Sequence, residues 1–185
     1  MRKSQRLYLD KRASDNNIKK DVKLFNMIFP MWMLWIFPPF FLICAAANFI
    51  IDSAVVLISN KILKFSNVFK KYRKCILLVW IFGFLADIVG GIYLFGISQL
   101  IDLFHNFGDS ARTIAWGISY NPFGHPLAFL ITCTSIVLSG YLIFLFNYKI
   151  SLNKLDINQK QKKQLAIILA LVTAPYLFLL PIGLF

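Results

Sequence analysis

The sequence predicts an all-α integral membrane protein, a bundle of four to five membrane segments whose first is a proline-broken hairpin or re-entrant helix. Three observations lead there. The chain is 58% hydrophobic and only 15% charged over 185 residues, too apolar for an ordinary soluble domain. Its 20 lysines and arginines are clustered: eight precede residue 24, six fall in 61–74, five in 149–163, and Arg112 stands alone. Between the clusters run apolar stretches at least as long as the roughly 20 residues that a helix needs to cross a bilayer core. Basic connections stay on the cytoplasmic side, so the expected protein is a multi-pass cell-membrane protein with its basic loops inside.

The net charge of +12 calls for an acidic partner. Because the basic residues flank apolar runs and form no separate basic domain, anionic lipid headgroups are the expected one, and nucleic acid is not.

Residues 1–23 are polar and mixed in charge, a basic cytoplasmic tail. The stretch 24–59 is 36 residues long, too much for one crossing and short for two, and Pro30, Pro38 and Pro39 interrupt it. Both of its flanks are basic, so a single crossing would leave one of them outside. A hairpin turning at Pro38-Pro39 resolves the conflict. The alternative lays 24–37 in the interface, with Trp32 and Trp35 at headgroup depth, and lets only the remainder span. Ala45-Ala46-Ala47 imitates a leader-cleavage site, but the apolar run before it is too long and holds two prolines, so no cleavage is expected.

Residues 60–74 place Ile62, Phe65, Phe69 and Tyr72 on one helical face and lysines on the other, a basic amphipathic cytoplasmic connection. The span 75–101 follows; its 27 residues make about 40 Å of helix, so it tilts or projects. An external loop, 102–126, carries Trp116, Tyr120 and Asn121-Pro122. Pro126 suits a first helical position and opens the span 127–146. The basic loop 147–164 leads to the C-terminal span 165–185, whose end is expected outside. Thr173-Ala174-Pro175 interrupts that last span, marking a kink or a gate.

Two carboxylates stand out. Asp52 and Asp87 sit inside apolar runs, where a charge is expensive and a polar group needs a role or a partner. Counted from Lys61 and Lys74, they lie about 12–14 Å and about 18–20 Å deep, close enough in depth to meet. Asn48 shares a helical face with Asp52, and Gly83, Gly90 and Gly91 line the face of Asp87, where small residues let another helix approach. Proton or cation handling is one use for this set; hydrogen-bonded helix packing is the other. Thr132, Ser135 and Ser139 form a further polar stripe, expected to pack helices while bonding back to their own preceding turn.

Other chemistry is thin. Cys44, Cys75 and Cys133 are scattered singly and read as small buried hydrophobes. His105, Asp109 and His125 are weak metal candidates in the external loop, with a spacing that fits no ligand pattern, so no metal and no cofactor are expected. There is no phosphate-cradling glycine loop and no H-E-x-x-H. Asp87 is preceded by Gly83-Phe84-Leu85-Ala86, so the Gly-x-Gly-Asp pattern of intramembrane aspartyl proteases is absent as well. The expected role is therefore non-catalytic: a subunit or accessory of a membrane assembly, partnered by another membrane protein or a second copy. The alternative is a small oligomeric proton- or cation-coupled transporter or channel using Asp52 and Asp87 with Asn48.

Overall fold

Pro38 and Pro39 stand in the first turn of a helix, α1 (Pro38–Ile62), where a missing N–H costs little because the first donors of a helix have no intrahelical acceptor. The computed structural model describes residues 38–63, 65, 67–103 and 109–181. The tail 1–23 and the stretch 24–37, which would form the first arm of the expected hairpin, lie outside the described residues.

A short turn joins α1 to α2 (Val68–Leu103). The Leu63 amide donates to Ser59 and the Phe65 amide to Asn60, and Asn67 takes a left-handed backbone (φ 55°), which asparagine tolerates better than most residues. The basic stretch 60–74 is thus divided between the end of α1 and the start of α2. At 36 residues α2 is about 54 Å long, well beyond a bilayer core, so it projects from any membrane that it crosses.

The stretch 102–126 contains a 12-residue helix, α3 (Asp109–Tyr120), and a 3-10 turn (Pro122–Gly124). Ala115 and Ile118 are buried and Ile114 packs beside them, while Trp116 faces outward and stacks on Tyr120. Next come α4 (Pro126–Lys149), a 3-10 turn (Ser151–Lys154) and α5 (Gln159–Val172). The Gln161 side chain accepts from the Asn158 amide and donates to the Leu63 carbonyl, fastening the start of α5 to the α1–α2 turn.

The described residues are all helix, turn and connection, and four segments are long and apolar enough to cross a membrane: Phe41–Ile62, Val68–Ile101, Pro126–Lys154 and Gln159–Leu179. Two apolar cores lie along the bundle. One, toward the basic end, gathers Val56, Val79, Ile143, Leu152, Leu165 and Leu169; the other, toward α3, gathers Leu94, Ile118, Ala128, Ile136 and Phe178.

Between the cores, α2 and α4 meet through small and hydroxyl residues. Ser135 Oγ donates to the Gly90 carbonyl (2.9 Å) and Ser139 Oγ to the Ala86 carbonyl (3.1 Å). These bonds cross between helices, whereas Thr132 bonds back to Ala128 on its own helix (2.9 Å). A Cβ on Gly90 would land on Ser139 Oγ and press on Ser135 Oγ and the Phe178 ring. A second close approach lies at Gly117, where a Cβ would come within 2.7 Å of the Ala128 Cβ.

Gly90→Ala forces Ser139 off the Ala86 carbonyl, and we expect a loss of about 1–3 kcal/mol, typical of overpacking. Gly96, where a Cβ meets nothing within 4 Å, is the control: Gly96→Ala is neutral or stabilising. Melting temperatures of the two variants in detergent, measured side by side, check this.

Candidate functional site: an acidic cavity beside the broken last helix

The last helix stops at Val172 because the residue that would donate to the Leu171 carbonyl is Pro175, which has no N–H. The next side chain repairs the fault: the Tyr176 hydroxyl donates to that Leu171 carbonyl (2.5 Å). Thr173 Oγ1 donates to Leu169 (2.9 Å), the Tyr176 amide to Ala174 (2.8 Å), and a 3-10 turn (Tyr176–Leu179) carries the chain onward. The break is thus a formed structure with its own hydrogen bonds. It sits one helix length, about 21 Å, from Gln159 at the basic end.

Opposite the break, α1 and α2 run antiparallel and bring the two carboxylates to one place. Asn48 Nδ2 on α1 donates to Asp87 Oδ2 on α2 (3.2 Å). One turn along, Asp52 Oδ2 lies 3.4 Å from where a Cβ on Gly83 would stand, so glycine leaves room for that carboxylate. The Thr173 hydroxyl lies within hydrogen-bond reach of Asp52, and the two acids are near enough for their charges to interact. Asp52 is only 3% exposed, and Asp87 Oδ1 is enclosed without any hydrogen-bond partner. Among the described residues, neither carboxylate has a basic partner.

All four polar residues, Asn48, Asp52, Asp87 and Thr173, line one cavity of about 670 Å³. The rest of its wall is mostly apolar, with Phe84, Ile88, Phe178 and Leu180 among the lining. Ile43, Ile51, Val172 and Leu177 line it too, yet are 45–64% exposed on the outside of the bundle. The cavity therefore opens sideways, between α1 and the segment that follows α5. Such volume, with a few polar groups on an apolar lining, suits a small-molecule site.

The candidate residues separate into groups. Asn48, Asp52, Asp87 and Gly83 meet at the cavity. Gly90, Ser135 and Ser139 form the α2–α4 seam, with Thr132 buried on the same face of α4; Gly91 is buried on α2. His125 accepts from the Leu127 amide through Nδ1 (3.2 Å) and caps α4. His105 and the Asp109 side chain lie outside the described residues, and among those described no group of three His, Cys, Asp or Glu is placed to hold a metal ion. Thr173 as a neighbour of Asp52 is not legible in the sequence, although the proline two residues later signals that its backbone turns there.

No family model matches the chain, and no curated protein and no solved structure matches it either.

Among the described residues Asn48 alone hydrogen-bonds Asp87, so Asn48→Ala leaves both oxygens without a partner there. We expect Asn48→Ala to cost about 1–3 kcal/mol. Repeated in an Asp87→Leu background, the same change should cost clearly less, with a coupling energy of about 0.5–2 kcal/mol in a double-mutant cycle. Reversible unfolding in mixed micelles measures the four corners; additivity would mean that the bond carries no energy.

Proposed function

We propose that the chain is a multi-pass cell-membrane protein with its basic ends cytoplasmic, and that it handles a proton or another cation at the Asp52–Asp87 cavity as a small transporter or channel. The observation that carries this reading is the pairing of two carboxylates, without a basic partner among the described residues, with a 670 Å³ cavity at a helix break. Buried acids within a membrane mark ion and proton pathways. Broken helices are tolerated at membrane depth where they line a cavity, and their loose backbone is used for ion and substrate sites. The outward-facing Ile, Leu, Phe and Val of the bundle, such as Leu42, Ile58, Leu77 and Val137, favour a lipid surround, since a soluble monomer rarely exposes apolar surface so widely. Lys61, Lys70, Lys154 and Lys160 sit together at the opposite end from α3, which favours anionic headgroups there.

A second reading, a subunit of a larger membrane assembly, draws on the sideways opening. A neighbouring helix bearing a lysine or arginine would both fill the gap and pair the acids. Native mass spectrometry of the particle extracted gently from its membrane separates the two: a stoichiometric second protein favours the assembly, and a lone chain or homo-oligomer favours the transporter.

For the purified chain in proteoliposomes, Asp52→Asn and Asp87→Asn are each expected to lower proton or cation flux at least tenfold while the melting temperature holds. Loss of folded protein in both, with flux per folded molecule intact, would instead assign the acids to packing. Single cysteines test the topology in a background lacking Cys44, Cys75 and Cys133. A cysteine replacing Phe123 is expected to label from outside intact cells, and one replacing Lys154 only after permeabilisation.

A further inference from the structure

The cavity is built for something larger than a bare ion. Hard inorganic cations gather six or more oxygen ligands at short distances, whereas here two carboxylates and an amide on α1 and α2 face the Thr173 and Tyr176 hydroxyls across a 670 Å³ space. The rest of the lining is mostly hydrocarbon and aromatic. Phe84 and Phe178 offer ring surfaces that suit either an apolar body or a cation. The way in is apolar as well: Ile43 and Ile51 on α1 face Val172 and Leu177 across the opening, and all four lie on the outer surface. Asp52 lies nine residues from Lys61, about 13 Å along α1, so the opening looks onto acyl chains once the bundle is in a bilayer.

We infer that the ligand is an organic monocation with an apolar body, entering sideways from the membrane between α1 and the Tyr176–Leu179 turn; this rests on the cation-handling role of the cavity and names its substrate class. Each part of such a molecule has a counterpart. The charged group reaches Asp52 and Asp87, neither of which has a basic partner among the described residues. The apolar body fills the space against Phe84, Ile88 and Phe178, where burial contributes about 25 cal/mol per Å² removed from water. A polar solute gains nothing from that wall, and a neutral apolar one brings no charge to either carboxylate.

The test uses the full-length chain in detergent micelles, with tetraphenylphosphonium as the probe and triphenylphosphine oxide as its neutral counterpart, both followed by equilibrium dialysis. Saturable tetraphenylphosphonium binding is expected, near one per chain, with the oxide at least tenfold weaker. Asp52→Asn and Asp87→Asn are each expected to weaken the cation at least tenfold. Ile51→Trp keeps both acids and adds bulk at the mouth, and should weaken it as well; this variant serves if an acid variant fails to fold. Equal affinity for cation and oxide, or undiminished binding in folded Asp variants, would overturn the inference. No saturable binding, with flux still dependent on Asp52 and Asp87, would remove the organic cation and leave the cation-handling reading standing. No binding and no acid-dependent flux would remove both.

Discussion

Everything else in the bundle is hung on the seam between α2 and α4. In an apolar surround helices gain little from burying hydrocarbon against one another, since lipid tails are as apolar as leucine. What holds them is close packing and hydrogen bonding, and both are concentrated where Ala86 and Gly90 meet Ser135 and Ser139. The absence of a side chain at Gly90 brings the α4 hydroxyls within reach of α2 carbonyls that are already bonded within their helix. Those carbonyls have a second lone pair, and the serines use it. With α2 and α4 fixed, α3 closes over both through Gly117 and Ile118, and α5 lies along α4 through Leu165, Ala166 and Leu169.

The same stripe of α2 serves the site. Ala86 and Gly90 turn toward α4, while Gly83 and Asp87, within the same two turns, turn toward α1. One side of the stripe is filled and cohesive; the other is left partly open. α1 is held to α2 along its middle turns: by the Asn48–Asp87 bond, by Trp80 Nε1 donating to the Ala45 carbonyl (2.8 Å), and by Tyr72 donating to Ser53 (3.0 Å). These contacts fix its position without closing the gap toward the last segment. The break at Pro175 borders the opening, and every residue from Val172 to Phe178 lines the cavity.

Long apolar runs between basic clusters were enough to read the membrane-length helices, because nothing else in a protein of this size has that pattern. Their ends were harder. The basic stretch 68–74 is helical, since a helix can pass from apolar to basic composition without changing its backbone. Helix α3 hides in a loop-like composition, as its buried face is Ala115, Gly117 and Ile118 with Ile114 partly buried beside them. Asp52 and Asp87 are conspicuous in sequence because a carboxylate in an apolar run is costly, but their partners are set by tertiary placement. Asn48 is one turn from Asp52 and yet bonds Asp87, across the helix pair. Ser135 and Ser139, expected to bond back along α4, bond across it, because a glycine on the facing helix brings other carbonyls as near as their own.

Those placements bear on whether the acids serve packing or a ligand. A carboxylate that only joins helices needs its partner at hydrogen-bonding distance and nothing beyond it, and Asn48 with Asp87 comes close to that description. Asp52 does not. Beside it among the described residues stand Gly83, Asp87 and Thr173, whose hydroxyl already directs its proton to Leu169, and the space in front of the pair is a cavity. Keeping two acids, a glycine beside one of them and a proline break opposite them is an arrangement that packing alone would discard. An occupant carrying one positive charge and an apolar body would complement the carboxylates, the aromatic wall and the empty volume together, and this makes a ligand the more economical account of all four features.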